Sequence, residues 1–117
     1  MTTLTTHILD TAHGCPAAGV RIDLSRMEHG GTRLLTTSIS NSEGRTDRPL
    51  LAGGALSAGT YELQFHVGEY FSSRGVCCDE PPFLDVVPLW FGIANPTLHC
   101  HVPLLVTPWS YATYRGS

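Results

Sequence analysis

The chain contains no lysine; its seven basic residues are all arginine, and none lies in a run. With a formal net charge of −3, that scatter excludes the broad basic field that nucleic-acid binding needs. Charge is scarce altogether, at 15% of residues, as expected when part of the surface is buried in an oligomer. No stretch approaches the ~18 apolar residues of a membrane span, so no membrane partner is expected. Met1-Thr2-Thr3-Leu4 lacks the basic start and apolar core of a secretion signal, and no peroxisomal Ser-Lys-Leu closes the chain. There is no Gly-x-Ser-x-Gly elbow for a serine nucleophile and no Cys-x-x-Cys pair for zinc. Cys15, Cys77, Cys78 and Cys100 do not form a compact disulfide framework, and they read as reduced thiols of a cytoplasmic protein. Repeats, low-complexity runs and linkers are also missing.

What is present is strand patterning. At 117 residues, positions 1–117 make one domain with room for one core. Leu4 to Leu9 reads as a first strand, broken at Gly14-Cys15-Pro16. Val20, Ile22 and Leu24 alternate with Arg21, Asp23 and Ser25, the mark of a half-buried strand. Leu34 to Ser40 forms another, ending at the turn Asn41-Ser42-Glu43-Gly44. Leu50 to Gly59 holds at most one short strand. Tyr61, Leu63, Phe65 and Val67 alternate without a break. Glu69 to Arg74 predicts a short helix stopped by Gly75. Strands are then expected over Phe83–Ile93, Leu98–Val106 and Trp109–Arg115. Seven or eight short strands with turns between them make an all-β sandwich.

Six histidines are candidates for chemistry. His13 and His29 sit in turn-rich segments and read as solvated. His66 alternates with Phe65 and Val67 and falls on the outer face. His7 shares a face with Thr5 and Leu9, opposite Ile8; a lone strand histidine is more often a structural hydrogen-bonding group than a catalyst. His99 and His101 share one strand face and Cys100 takes the other. His-x-His can supply two zinc ligands, with Cys77 or Cys78 as further ones, but no third ligand lies at a telling spacing. The end of the chain is unusual. His101-Val102-Pro103-Leu104-Leu105 leads into Tyr111-Ala112-Thr113-Tyr114, read as a strand with one aromatic face, and then Arg115-Gly116-Ser117. Chain ends are ordinarily frayed and idle. A strand running this late would hold Arg115 and Ser117 in place.

Tyr114-Arg115-Gly116-Ser117, preceded by His101-Val102-Pro103-Leu104-Leu105, resembles the signature of the 5-hydroxyisourate hydrolase branch of the transthyretin family. Thr6-His7-Ile8-Leu9, Gly14-Cys15-Pro16-Ala17, Glu43-Gly44-Arg45 and Gly59-Thr60-Tyr61-Glu62-Leu63 match in the same order, so the resemblance spans nearly the whole chain. It implies a transthyretin-like (prealbumin-like) β-sandwich and a cyclic amide hydrolase that needs no cofactor and no metal. The implied reaction opens the N1–C6 bond of 5-hydroxyisourate in urate breakdown. His7, Arg45 and His101 are the implied catalytic residues, and His7, Arg45, Tyr114, Arg115 and Ser117 the implied substrate contacts. Tyr114 would pack the tail. The implied assembly is a homotetramer, a dimer of dimers, with sites in an interfacial channel. The family often has Tyr where this chain has Cys100, which implies only a packing difference. A carrier of small ligands without turnover and a zinc-binding sandwich are the other readings.

Overall fold

The computed structural model describes residues 2–76 and 79–117. Alternation of apolar and polar side chains produces two four-to-five-stranded sheets that bury their apolar faces against each other. The strands are β1 (Thr3–Asp10), β2 (Cys15–Pro16), β3 (Arg21–Glu28), β4 (Gly31–Ile39), β5 (Leu51–Ala52), β6 (Gly59–His66), β7 (Val86–Ile93), β8 (Cys100–Val106) and β9 (Tyr111–Thr113). Among the described residues one α-helix, α1 (Val67–Ser73), follows β6; it overlaps the predicted Glu69–Arg74 but starts earlier, at Val67, which the alternation had placed in the strand. The first sheet runs β2-β1-β8-β9, with β5 also pairing with β1; the second runs β4-β3-β6-β7. All pairings are antiparallel except β1 with β8.

That parallel pair positions the site. Thr5 lies opposite His101, Leu4 opposite Cys100 and His7 opposite Pro103. Leu4, Ile8, Val102, Leu104 and Val106 point inward and are buried with Ile22, Leu24, Tyr61, Leu63 and Phe65 from the second sheet. The side-chain period of two therefore puts Thr3, Thr5, His7, His99 and His101 together on the outer face of the first sheet. Thr6, buried on the inner face, satisfies its hydroxyl on the Val102 carbonyl at 2.7 Å.

Several sequence expectations change. The last strand is only Tyr111–Thr113, because Thr107 accepts hydrogen bonds from the backbone N–H groups of Trp109 and Ser110 and makes that segment a turn. Tyr111 and Tyr114, three residues apart, do not form one aromatic face. The strand predicted from Phe83 begins at Val86, beyond the Pro81-Pro82 pair, whose nitrogens cannot join a ladder. His13 is not simply solvated: its Nδ1 lies 2.6 Å from Asp10 Oδ2. His66 takes the outer face as expected, yet it is nearly buried, with Nε2 2.9 Å from Asp23 Oδ2. Cys77 and Cys78 lie outside the described residues.

Candidate active site

A cleft of about 550 Å³ opens on the outer face of β1 and β8. Its walls include His7, Arg45, His101, Tyr114, Gly116 and Ser117. Backbone pairing brings them together. Arg45 forms an isolated antiparallel bridge with His7, and Gly116 forms one with His101. Across the face the order is thus Arg45, His7, His101, Gly116.

The turn Asn41–Gly44 delivers Arg45. Asn41 Oδ1 accepts from the N–H groups of Glu43 and Arg45, and the Gly44 N–H donates to the Asn41 carbonyl. Gly44 has φ +76°, and a Cβ there would collide with the Ile8 carbonyl oxygen, so glycine is required. The Arg45 guanidinium has no hydrogen bond or ion pair among the described residues, which leaves its fork of donors for an oxygen-rich ligand.

The same turn orients His7. Its Nε2 lies 2.9 Å from the Glu43 carbonyl oxygen. A carbonyl only accepts, so Nε2 carries the proton and neutral His7 has its lone pair on Nδ1. Cδ2, beside Nε2, faces Gly44. Nδ1, on the opposite edge of the ring, is left for the cleft.

His101 is held on both edges. Nδ1 lies 2.8 Å from Thr5 Oγ1. Cδ2 sits so close to the Gly116 backbone that a Cβ on Gly116 would overlap it. The Gly116 N–H donates to the His101 carbonyl at 2.9 Å. Only the Nε2 end of the ring remains free for a ligand.

Both histidines titrate below the ordinary 6.5. For His7 the causes are burial first and then the Arg45 charge. For His101 they are burial, then Arg45, His7 and His99, against a smaller opposing effect at Thr5. Each is therefore mainly neutral at pH 7 and can give or take a proton. The Cys100 thiol is pushed up by burial, with Arg115 acting the other way, and it packs against the core.

Two expected site residues are placed differently. Arg115 does not line this cleft; it lines a neighbouring cavity of about 390 Å³ with Trp90, Ile93 and Cys100. Tyr114, next to it, borders both cavities. Tyr114 lines the cleft but does not pack the tail, being 58% exposed. Thr5, His99, Asp47 and Arg48 also line the cleft and were not marked by sequence as site residues. Thr5 and His99 were findable, since each stands two residues before a marked histidine on the same strand face. Asp47 and Arg48 lie on a loop that carries no periodic signal. Among the described residues, no group of three His, Cys, Asp or Glu side chains converges in a metal-binding arrangement.

Residues 4–116 match the family model described as "HIUase/Transthyretin family". The chain is similar to 5-hydroxyisourate hydrolase of Deinococcus radiodurans, 57% identical over 97% of this chain and 95% of that one. It is also similar to 5-hydroxyisourate hydrolase 2 of Rhizobium meliloti, 55% identical with the same coverage. Among solved structures, (S)-allantoin synthase superposes with a TM-score of 0.93 at 49% identity, over 99% of this chain and 44% of that one. Sea bream transthyretin in complex with thyroxine superposes with a TM-score of 0.87 at 27% identity, over 97% of this chain and 94% of that one. A two-sheet sandwich with this topology, matched by that family model almost from end to end, identifies the chain as a member of the HIUase/transthyretin family.

Proposed function

We propose that the protein hydrolyses 5-hydroxyisourate at its N1–C6 bond, giving 2-oxo-4-hydroxy-4-carboxy-5-ureidoimidazoline. The observation that carries this reading is the joint lining of one cleft by His7, Arg45 and His101, in a chain more than half identical to enzymes of that name. Ring opening needs a deprotonated water, a stabilised oxyanion and a proton for the departing nitrogen. His7 Nδ1 takes a proton from water as its oxygen attacks C6. The Arg45 guanidinium stabilises the negative oxygen of the tetrahedral intermediate. The N1–C6 bond then breaks, and N1 takes the proton from His101 Nε2. Tyr114 and Ser117 bound the planar substrate, while Arg115 acts from the adjoining cavity or across an assembly interface. A homotetramer with the cleft in an interfacial channel completes the proposal.

The test generates 5-hydroxyisourate in situ from urate with urate oxidase and follows its ultraviolet decay. Decay accelerated in proportion to protein concentration is expected. Ligand binding without accelerated decay would leave a carrier instead.

A further inference from the structure

Four side chains run in line along the outer face of β1 and β8, from inside the cleft to its margin: His101, Thr5, His99 and Thr3. His101 Nδ1 is 2.8 Å from Thr5 Oγ1. The same hydroxyl stands 3.5 Å from His99 Nε2. His99 Nδ1 is 2.6 Å from Thr3 Oγ1. The rings of His99 and His101 are almost parallel, 12° apart, with centroids separated by 6.4 Å. His99 is exposed, so the outer end of the line reaches bulk water. An imidazole can accept a proton at one nitrogen while releasing one from the other, and a hydroxyl can accept on its lone pair while donating its hydrogen. The four groups alternate these capabilities.

This line answers a difficulty in the reaction proposed above, on which the inference rests. His101 is held neutral by burial and by the nearby Arg45, His7 and His99. A neutral imidazole that gives up its Nε2 proton becomes an imidazolate, which is a poor outcome at neutral pH. The difficulty disappears if Nδ1 gains a proton in the same step. We propose that Thr5 and His99 form a proton relay that protonates His101 Nδ1 as Nε2 gives its proton to the leaving nitrogen, with Thr5 as the positioning residue.

The proton count closes. N1 gains the Nε2 proton as the N1–C6 bond breaks. The Thr5 hydroxyl proton passes to His101 Nδ1, Thr5 takes the Nε2 proton of His99, His99 Nδ1 takes the hydroxyl proton of Thr3, and Thr3 is resupplied from water. His7 meanwhile holds the proton removed from the attacking water. After product leaves, His7 returns that proton to solvent. His101 Nε2 takes a proton from water in the open cleft, and Nδ1 sends one back along the line. The direction follows from geometry: the Glu43 carbonyl keeps His7 protonated on Nε2 and hence a base at Nδ1, so His101 is the acid and the line must feed it.

The experiment compares wild type with Thr5→Val, Thr5→Ser and His99→Gln in the urate-oxidase-coupled assay and in mixtures of H2O and D2O. Thr5→Val keeps the side-chain shape and removes the hydroxyl. It is expected to lower kcat by about 10-fold or more with KM within about 2-fold, a part of what a whole general acid contributes. Thr5→Ser is expected within about 2-fold of wild type because the relaying hydroxyl is retained. His99→Gln is expected to lower kcat similarly, with partial recovery on adding imidazole. The dependence of rate on deuterium fraction should be curved in wild type, as several protons move together, and straight in Thr5→Val. Nitrogen-15 NMR of His101 provides a readout independent of turnover: Nε2–H should dominate in wild type and give way to a tautomer mixture in Thr5→Val. Folded Thr5→Val and His99→Gln proteins with wild-type kcat and a curved isotope response would overturn the relay. So would an unchanged His101 tautomer in Thr5→Val, including in the case where wild type itself shows no hydrolysis and the proposed reaction fails.

Discussion

At the scale of single residues, the proposed reaction divides its work between a cation and two neutral rings. Replacing His7, Arg45 or His101 by alanine should each lower kcat/KM by about 100-fold or more, the scale of a lost acid–base or oxyanion group. His29→Ala, on an exposed turn, should leave it unchanged. Steady-state kinetics on folded variants decides this, and wild-type rates in all three would remove the assignment. The pH dependence has a definite sign. Burial, then Arg45, lowers both histidines below 6.5, so the neutral forms persist through neutrality and are lost only under acid. The rate should stay level near pH 7 and fall on an acid limb centred below 6.5. Histidine NMR titrations should show both values rising in Arg45→Gln, which removes a positive neighbour. An acid limb above 6.5 would contradict this account. The folded state also binds fewer protons at these rings than the unfolded chain, so their contribution to stability is present above 6.5 and is lost as pH falls from there through the lowered folded values.

At the scale of elements, the tail and the end of β1 carry separate loads. The tail is held by one backbone pair, Gly116 to His101, and contributes little apolar burial. Deleting Arg115 to Ser117 should therefore abolish most activity while the melting temperature stays near wild type. Gly116→Ala should also lose activity, because its Cβ displaces the His101 ring. A fully active truncation would show the tail to be idle. The end of β1 is a stability element. Asp10 is buried and accepts from the N–H groups of Ala12 and His13, from His13 Nδ1 and from the Tyr70 hydroxyl at 2.7 Å. Burial raises its pKa, but the bonds from Tyr70 and His13 outweigh that and leave it below 3.8. Its stabilisation is present above 3.8 and lost as pH falls through the lowered folded value. Tyr70→Phe should cost about 1.5–3 kcal/mol, the range for a hydrogen bond to a charged group. Urea unfolding should show this as a lower midpoint at unchanged slope, with catalysis intact.

At the scale of the whole molecule, both sheets of the sandwich have open edges, two of them beside the exposed tryptophans. Among the described residues, β7 pairs only with β6 and β9 only with β8. Trp90 and Trp109 are 68% and 65% exposed, unusual for so large an apolar side chain on a monomer. Open edges with apolar flanks are covered or paired in stable proteins. A two-fold symmetric tetramer is expected in solution, with a light-scattering mass about four times 12.7 kDa. A fully active monomer at assay concentration would rule out a channel site between subunits.

The sequence by itself determined most of the elements and named most of the side chains that meet in the candidate cleft. β1, β3 and β6 were legible because their apolar alternation records which face is buried, and α1 because Gly75 stops it. His7, Arg45, His101 and the terminal tetrapeptide were legible as motifs. Only the tertiary structure decided how these meet. Thr5 and His101 become neighbours through a parallel pairing of strands 96 residues apart, and no local pattern encodes the register of such a pair. The same holds for the Asp10–Tyr70 contact and for the Asp23–His66 contact, which gave a histidine expected on the outer face a buried carboxylate partner. Arg115 shows the limit most directly. Its motif marks it as important, but which cavity it enters depends on how the tail, bridged at Gly116, lies across β8.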